Sequence, residues 1–309
     1  MEPIVIIAAV NGGYNQPNGI TKVPLTPLEI AEEAVRCREA GAAILHFHAR
    51  DEDGITTGDL DIFRETIRLV RERTDILIQT TNGIGARKDK QTGEWIRPTD
   101  EDRIALLNIE PRPDLYGAAT GSTDFYHPFG GQHNERPFVN NREWLATSIR
   151  HAHSRGTAIE FEVVHLPALY RLKRLADEGV FDANADYLWL NYGAGIGNIP
   201  GTPRIIVQSI DEGKLLFPNA KFGVLGAGHY QFPIAAVGMA SGCHTLRVGL
   251  EDNMFRANGE PAESNHQLIA EMVEMAKFFR RVPATPEQAV EILGLRRNVD
   301  ASTSQTVPA

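Results

Sequence analysis

The feature that most constrains the fold of this chain is an eightfold alternation of short apolar runs with longer amphipathic ones. The apolar runs cover residues 4–10, 43–49, 75–81, 115–121, 158–164, 187–192, 221–227 and 244–250. They are apolar along most of their length, which is typical of parallel strands buried on both faces. Eight strand–helix repeats therefore predict a single (β/α)8 TIM barrel of the α/β class.

Helical patterns separate the predicted strands. They cover residues 26–41, 59–73, 101–109, 142–155, 167–178, 203–213, 230–241 and 263–280, and residues 286–293 form a short extra C-terminal helix. The first begins with Thr26 as N-cap, Pro27, and Glu29 in the capping-box position. Because no Pro-, Gly- or Ser-rich linker divides the chain, we expect one barrel domain over residues 1–297 and a flexible tail over residues 298–309.

Composition and charge argue against disulfide-rich secreted proteins, membrane proteins and nucleic-acid-binding proteins. Two cysteines among 309 residues give no disulfide framework and favour a reducing compartment. The N-terminus lacks the basic start of a signal peptide, and no apolar run reaches the roughly 20 residues that a membrane-spanning helix needs. The net charge of −9 argues against nucleic-acid binding but allows a small anionic substrate. We therefore expect a cytoplasmic protein that contacts neither nucleic acid nor membrane.

Polar residues gather where the predicted strands end. Active sites of (β/α)8 barrels lie at the C-terminal ends of the strands. The polar residues there include Asn11, His46, His48, Arg50, Gln79, Thr81, Asn82, Thr120, Ser122, Asp124, Asn191, Arg247, Glu251 and Asp252. Two long βα loops, at 83–98 and 126–137, are predicted at the same face. The sequence thus predicts a functional site at this end of the barrel.

The second predicted strand contains two histidines in alternation. His46 and His48 share a strand face, about 7 Å apart by the rise per residue. Glu251, near the end of strand eight, is a third candidate ligand, and two histidines with one carboxylate suit catalytic Zn²⁺ and also Fe²⁺ or Mn²⁺. Alternatively, both histidines are hydrogen-bonded core residues. His229, after strand seven, is a competing ligand or a loop residue.

Arg247 lies four residues before Glu251, so the strand period predicts that both side chains share one face. An interior arginine can hold Asp252 ionised and oriented, or it can bind a substrate carboxylate through two hydrogen bonds. A structural ion pair that closes the barrel is the alternative. If the pair is not merely structural, Arg247 and Asp252 are candidate catalytic residues.

Smaller polar groups are candidate substrate contacts. Thr81, Asn82 and Gly83 can offer hydroxyl and amide donors to an oxyanion, although an ordinary strand-to-loop turn also explains them. Thr120 and Ser122, at the end of strand four, are expected to bind substrate as well.

The Glu160/Glu162 pair has two interpretations. Both carboxyls can serve as acid/base groups, with Glu160 touching substrate, or they can hydrogen-bond to the metal ligands. The chain contains no G-x-S-x-G, H-E-x-x-H or C-x-x-C motif, so the mechanisms tied to those motifs lose their usual support.

The motifs together resemble those of the β-keto acid cleavage enzymes, a family that includes 3-keto-5-aminohexanoate cleavage enzyme. The similar segments are AAVNGG (8–13), TPLEIAEEAVRCREAGAAILHFHARDEDG (26–54), IQTTNG (78–83), ATGSTDF (119–125), EFEVV (160–164), GAGHYQFP (226–233), RVGLEDNMF (247–255) and SNHQL (264–268). They span almost the whole chain in order. The combination of H-x-H-x-R-D with R-V-G-L-E-D-N is the most specific part.

The resemblance implies a (β/α)8 barrel with a divalent metal, usually Zn²⁺, and a tetrameric assembly. It implies that a β-keto acid and acetyl-CoA give acetoacetate and a new CoA thioester. By resemblance, His46, His48 and Glu251 hold the metal. Asp252, paired with Arg247, is the base, and Thr81 contacts the substrate or the thioester oxygen.

Three positions depart from the family pattern. Tyr14 stands where members that take the amino substrate carry a glutamate, so we expect a neutral, aromatic-contacting or differently charged keto acid. The turn after strand three reads T-N-G-I (81–84) instead of S-T-G-G, and Asp124 replaces a common asparagine. These changes bear on substrate identity more than on reaction class.

Two rival functions use the same residues. One is a metal-dependent aldolase, lyase or hydrolase that works without CoA. The other is a barrel that has lost catalysis and only binds a metabolite. The presence of all five candidate residues, His46, His48, Arg247, Glu251 and Asp252, argues against it.

Overall fold

A computed structural model describes residues 1–295, except residues 14, 85–86, 89–90, 97, 128–133, 186 and 197–198. At residues 87–88, 95–96, 124–127 and 134–137 it describes the backbone but not the side chains. Eight parallel strands pair side by side in chain order. The first strand also pairs with the last, so the sheet closes into a barrel. The predicted (β/α)8 fold is confirmed.

All eight predicted strands are present. They are β1 Glu2–Ala9, β2 Ile44–His46, β3 Leu77–Thr81, β4 Leu115–Ala119, β5 Ala158–Val163, β6 Trp189–Ala194, β7 Lys221–Gly226 and β8 Thr245–Val248. Several are shorter than predicted, and β2 has only three residues. The apolar sequence continues past His46 and Val248 because the chain stays buried there, although it no longer pairs as a strand.

Nine α-helices among the described residues accompany the strands. They are α1 Pro27–Ala40, α2 Leu60–Arg71, α3 Asp100–Ala105, α4 Arg142–Arg155, α5 Leu166–Asp177, α6 Pro203–Leu216, α7 Gln231–Ala240, α8 Asn265–Phe278 and α9 Pro286–Leu293. The predicted capping box of α1 is confirmed, since Thr26 and Glu29 accept each other's backbone N–H groups. None of these helices is long and apolar enough to cross a membrane.

The barrel interior changes character along its axis. Alternate strand residues point inward. The interior is apolar near the N-terminal ends of the strands, where Val5, Leu77 and Trp189 pack together, and α9 buries Ala289 and Leu293 against them. The next interior positions are polar and buried: His46, Gln79, Glu160, Asn191 and Arg247. The fold therefore supports a polar site on an apolar base.

Two loops contain more structure than predicted. A short antiparallel pair, Arg87–Lys88 with Trp95–Ile96, follows β3. A longer pair, Thr123–His127 with Asn134–Phe138, follows β4. An unpredicted strand, β9 Arg281–Pro283, pairs with the start of β1. The predicted domain boundary at 297 and the tail at 298–309 lie outside the described residues.

Candidate active site

His46 is the last residue of β2, and His48 lies just beyond the end of that strand. The backbone at His48 is held by the Asn11 side chain, which accepts its N–H at 2.9 Å and donates to its carbonyl at 2.9 Å. A second hydrogen bond from Asn11 to the Pro24 carbonyl fixes this amide. The two imidazole centroids are 5.4 Å apart. Asn11 thus replaces strand pairing in placing His48.

Glu251 reaches the histidines from a turn that follows β8. The side chains of Arg247 and Glu251 meet as predicted, with Nη2 2.6 Å from Oε1, but strand period is not the cause, because β8 ends at Val248. The backbone N–H of Glu251 instead donates to the Ala9 carbonyl at 3.1 Å. Gly12, at φ +61°, borders the carboxylate, and a Cβ there would lie 2.7 Å from its Cγ. A glycine is therefore required at position 12 to admit Glu251.

His46, His48 and Glu251 form a compact cluster. Nε2 of His46 is 3.4 Å from Oε2 of Glu251, and Nε2 of His48 is 3.3 Å from Oε1. Bond lengths of about 2.0–2.1 Å at a tetrahedral zinc put neighbouring ligand atoms about 3.3–3.4 Å apart. Oε2 of Glu251 is buried and has no hydrogen-bond partner among the described residues. The donor set and its spacing fit a divalent cation.

Arg247 binds both carboxylates that follow β8. Its Nε and Nη2 donate to the two oxygens of Asp252 at 2.8 and 2.9 Å. Nη2 also donates to Oε1 of Glu251 at 2.6 Å. Because the guanidinium is buried, these charge-assisted bonds are strong and directional. They fix Asp252 beside the candidate metal ligands.

Burial and charge set the protonation of these groups. Burial favours protonation of Glu251, but Arg247 and the two histidines outweigh it and hold the pKa of Glu251 well below its usual range. Burial raises the pKa of Asp252, and Arg247 opposes this only in part. Burial also lowers the pKa of His48, which favours the neutral ring that binds metals. Glu251 is therefore a ready ligand and Asp252 a stronger base than an ordinary aspartate.

Two glutamates of β5, Glu160 and Glu162, occupy consecutive inward positions near this cluster. Glu160 is buried and accepts hydrogen bonds from the side-chain amides of Gln79 and Asn191. Gln79 in turn lies 2.9 Å from Nδ1 of His46. These contacts favour the second interpretation of Glu160, as a partner of the metal ligands. Glu162 is half-buried, and burial raises its pKa to about 7.

The predicted substrate contacts after β3 hydrogen-bond within the chain. The Thr81 hydroxyl accepts the Gly83 N–H at 2.9 Å. Asn82 donates to Asn140 and accepts the Ala119 N–H. These groups brace the two βα loops against each other.

The remaining described candidates contact neighbouring residues outside the cluster itself. Thr120 donates to the Glu162 carbonyl, and Ser122 pairs with the backbone of Asn140. His229 is exposed on a 3-10 turn, and its ring lies tilted by 42° against that of Tyr230, outside the His–His–Glu cluster. Tyr14 and the side chain of Asp124 lie outside the described residues.

Two buried side chains to which the sequence analysis assigns no role organise the loops. Arg50 donates to the carbonyls of Gly12, Asn11 and Gly54, which shapes the loop after β1. Asn140 donates to the Gly121 carbonyl at 3.0 Å. The signal for Arg50 was its place directly after H-F-H-A. Asn140 carries no comparable signal, because its role depends on loops that are distant in sequence.

A closed eight-stranded barrel with this polar cluster at the C-terminal ends of its strands defines the class of (β/α)8-barrel enzymes. The chain belongs to the beta-keto acid cleavage enzyme family, whose model matches residues 3–295.

Characterised relatives resemble the chain over nearly its full length. A 3-keto-5-aminohexanoate cleavage enzyme from Acetoanaerobium sticklandii is 31% identical over 299 residues, covering 96% of this chain and 100% of that protein. A 3,5-dioxohexanoate:acetyl-CoA acetone transferase from Paraburkholderia graminis is 28% identical over 305 residues, covering 95% of this chain and 96% of that protein. The ternary complex of ObcA with a C4-CoA adduct and oxalate has a TM-score of 0.69 at 18% identity, covering 88% of this chain and 67% of that chain. This last likeness concerns the fold alone.

Proposed function

We propose that the protein transfers the acyl group of a β-keto acid to CoA, using acetyl-CoA and releasing acetoacetate. The observation that carries the proposal is the His46–His48–Glu251 cluster beside an Arg247–Asp252 pair in a member of this family. Relatives whose names specify acetyl-CoA as a substrate support the choice of co-substrate.

His46, His48 and Glu251 would hold a divalent cation, with Zn²⁺ the best match to two imidazoles and a carboxylate. When bound, the cation supplies Lewis-acid polarisation of the keto and carboxylate oxygens of the substrate. Because Arg247 bridges Glu251 and Asp252, a cation held by these three side chains would lie close to Asp252.

Asp252 acts as the general base in this proposal. Its carboxylate removes a proton from C2 of the β-keto acid, and Arg247 keeps the carboxylate aimed by two hydrogen bonds. The raised pKa of Asp252 brings its basicity closer to that of a substrate carbon acid. Glu251, two hydrogen-bond steps away, stays ionised.

The remaining bond changes need no enzyme nucleophile. The C2 carbanion attacks the acetyl carbonyl of acetyl-CoA and expels the CoA thiolate. The thiolate then attacks the original keto carbon, and the bond between that carbon and C2 breaks. The departing acetoacetate carbanion regains a proton from Asp252, so the base returns to its starting state. The acyl group leaves as its CoA thioester.

Substrate specificity in this proposal depends on residues at or after the C-terminal ends of β1, β3 and β4. Tyr14 in place of a glutamate removes the counter-ion for an amino group, so a neutral or differently charged keto acid is expected. Thr81, Asn82, Gly83, Thr120 and Ser122 are the further proposed substrate contacts. A homotetramer and a cytoplasmic location complete the proposal.

A panel of β-keto acids with acetyl-CoA tests the function. The expected result is a CoA thioester and acetoacetate with a non-amino substrate. High activity on 3-keto-5-aminohexanoate would overturn the expected specificity. Product formed without CoA would overturn the reaction class and favour an aldolase, lyase or hydrolase.

A further inference from the structure

A line of buried amide groups lies behind His46. Nδ1 of His46 is 2.9 Å from Oε1 of Gln79, and Nε2 of Gln79 donates to Oε2 of Glu160. Nδ2 of Asn191 donates to the other oxygen of Glu160. Gln79 and Asn191 are 0% exposed and Glu160 is 1% exposed. The line therefore crosses the barrel interior from β2 to β6, sealed from solvent.

Gly117 of β4 lies beside this line. A Cβ at position 117 would be 3.6 Å from Oε2 of Glu160 and 3.7 Å from Cε1 of His46. These are ordinary van der Waals distances, so Gly117 packs against both side chains from the strand that lies between Gln79 and Glu160.

The line has a direction. Burial raises the pKa of Glu160, and Arg247, His46 and the two amides oppose this. In its ionised form Glu160 only accepts hydrogen bonds, so the amides of Gln79 and Asn191 then both present N–H groups to it. Gln79 consequently turns its carbonyl oxygen towards His46, and Nδ1 of His46 must carry the proton. The other ring nitrogen, Nε2, is then the one left to bind a cation, and it is the nitrogen that faces Glu251.

We propose that Glu160 is a positioning residue that fixes the tautomer of His46 through Gln79, so that Nε2 is free for the cation. The proposal rests on the ligand set of the proposed function. It assigns no substrate contact to Glu160, because both of its carboxylate oxygens are already hydrogen-bonded.

The test compares the His46 ring and Zn²⁺ affinity in Glu160→Gln and wild-type protein. In the wild type, ¹⁵N NMR should show a proton on Nδ1 of His46 both with and without Zn²⁺. With a glutamine at position 160, the amide of Gln79 can face either way, so the Nδ1 proton should be partly lost. The Zn²⁺ dissociation constant, measured by chelator competition, should rise about 10–100-fold.

Two further variants separate positioning from simple loss of charge. Glu162→Gln removes a carboxylate from the next inward position of the same strand and should leave the Nδ1 proton in place. The exchange Gln79→Glu/Glu160→Gln restores an acceptor for His46 and a donor between the two positions, so it should restore the Nδ1 proton and tighten Zn²⁺ binding again.

An unchanged Nδ1 proton and an unchanged Zn²⁺ affinity in folded Glu160→Gln protein would overturn the proposal. A failure of the exchange variant to recover either signal would also count against it. If wild-type protein binds no Zn²⁺, the ligand assignment fails instead, while the Nδ1 proton in metal-free protein still decides whether Glu160 orients His46.

Discussion

Arg247 is the residue on which the charges of the site depend. It binds Asp252 through two nitrogens and Glu251 through one, so a single cation holds two adjacent carboxylates at fixed positions. Without it, two buried like charges would lie side by side, at a cost that buried carboxylates usually avoid by protonation. The same geometry separates their roles, since the pKa of Glu251 is lowered and that of Asp252 is raised.

The role of Asp252 can be isolated with Asp252→Asn. Asparagine keeps the size of the side chain but cannot accept a proton, so turnover of keto acid with acetyl-CoA should fall about 10²–10⁴-fold. Bound Zn²⁺ should match the wild type, because Asp252 is not among the three ligands. Turnover within tenfold of wild type would remove Asp252 as the base.

Glu162 gives a pH dependence of stability with a defined sign. Its folded pKa of about 7 exceeds its usual value of 4.5, so the folded state binds the proton more tightly than the unfolded state. The stabilisation is present below pH 4.5 and is lost as the pH rises towards 7. At about 1.4 kcal/mol per pKa unit, the loss is at most about 3.5 kcal/mol.

Chemical denaturation of metal-free wild-type and Glu162→Gln protein at several pH values measures this effect. The variant should gain stability relative to wild type between pH 4.5 and 7 and keep a constant difference above that range. A difference that does not change with pH would show that Glu162 is not protonated more readily in the folded state.

Individual site residues were predictable to different degrees. His46, His48 and Arg50 stand together in sequence, so local reasoning could find them. The hydrogen bonds between Asn11 and His48 join residues that are 37 positions apart in the chain. The hydrogen bond between Asn82 and Asn140 joins two loops that come together only when the chain folds. Pairing across such distances leaves no periodic trace in the sequence.

Among the described helices, α9 differs in packing against the N-terminal end of the barrel. It covers the N-terminal end of the barrel and buries Leu293 among the apolar interior residues. Leu293→Ala should lower the free energy of unfolding by about 2–5 kcal/mol, because it leaves a cavity beneath the barrel. Urea denaturation measures the change.

Glu291→Ala is the matched control for this substitution, since Glu291 lies exposed on the same helix. Its free energy of unfolding should stay within about 0.5 kcal/mol of wild type. Equal losses in the two variants would indicate that α9 contributes through helix formation and not through its contact with the barrel.

The elements also show where periodicity is a good guide. Strands and helices such as β5 and α1 were predictable because their apolar spacing and end signals are local. The sequence predicts a loop where the hairpin of Thr123–His127 and Asn134–Phe138 lies, since two short strands without regular alternation of polar and apolar residues carry no strand signal. The turn after β8 was misassigned as strand for the converse reason: Leu250 is buried without pairing in the sheet.

At the scale of the whole molecule, the proposed ligands join distant parts of the chain. A cation bound to His46 and Glu251 would favour the closed barrel, so Zn²⁺ at 100 times its dissociation constant should stabilise the fold by about 2.7 kcal/mol. Chelation should accordingly lower the melting temperature by about 5 °C. Differential scanning calorimetry with and without chelator measures the shift.

His46→Ala should abolish the Zn²⁺-dependent shift. His229→Ala should retain it, because His229 is exposed and outside the ligand cluster. A full shift in the His46 variant would contradict the ligand assignment.

The closure of the barrel between β1 and β8 also bears on when a metal ion can bind during synthesis of the chain. His46 and Glu251 are about 200 residues apart in the chain. At about 5–20 residues per second, a ribosome would add Glu251 roughly 10–40 s after His46. Throughout that interval only two of the three proposed ligands, His46 and His48, have been synthesised. Metal acquisition would therefore be a late event in synthesis, after the last barrel strand has left the exit tunnel.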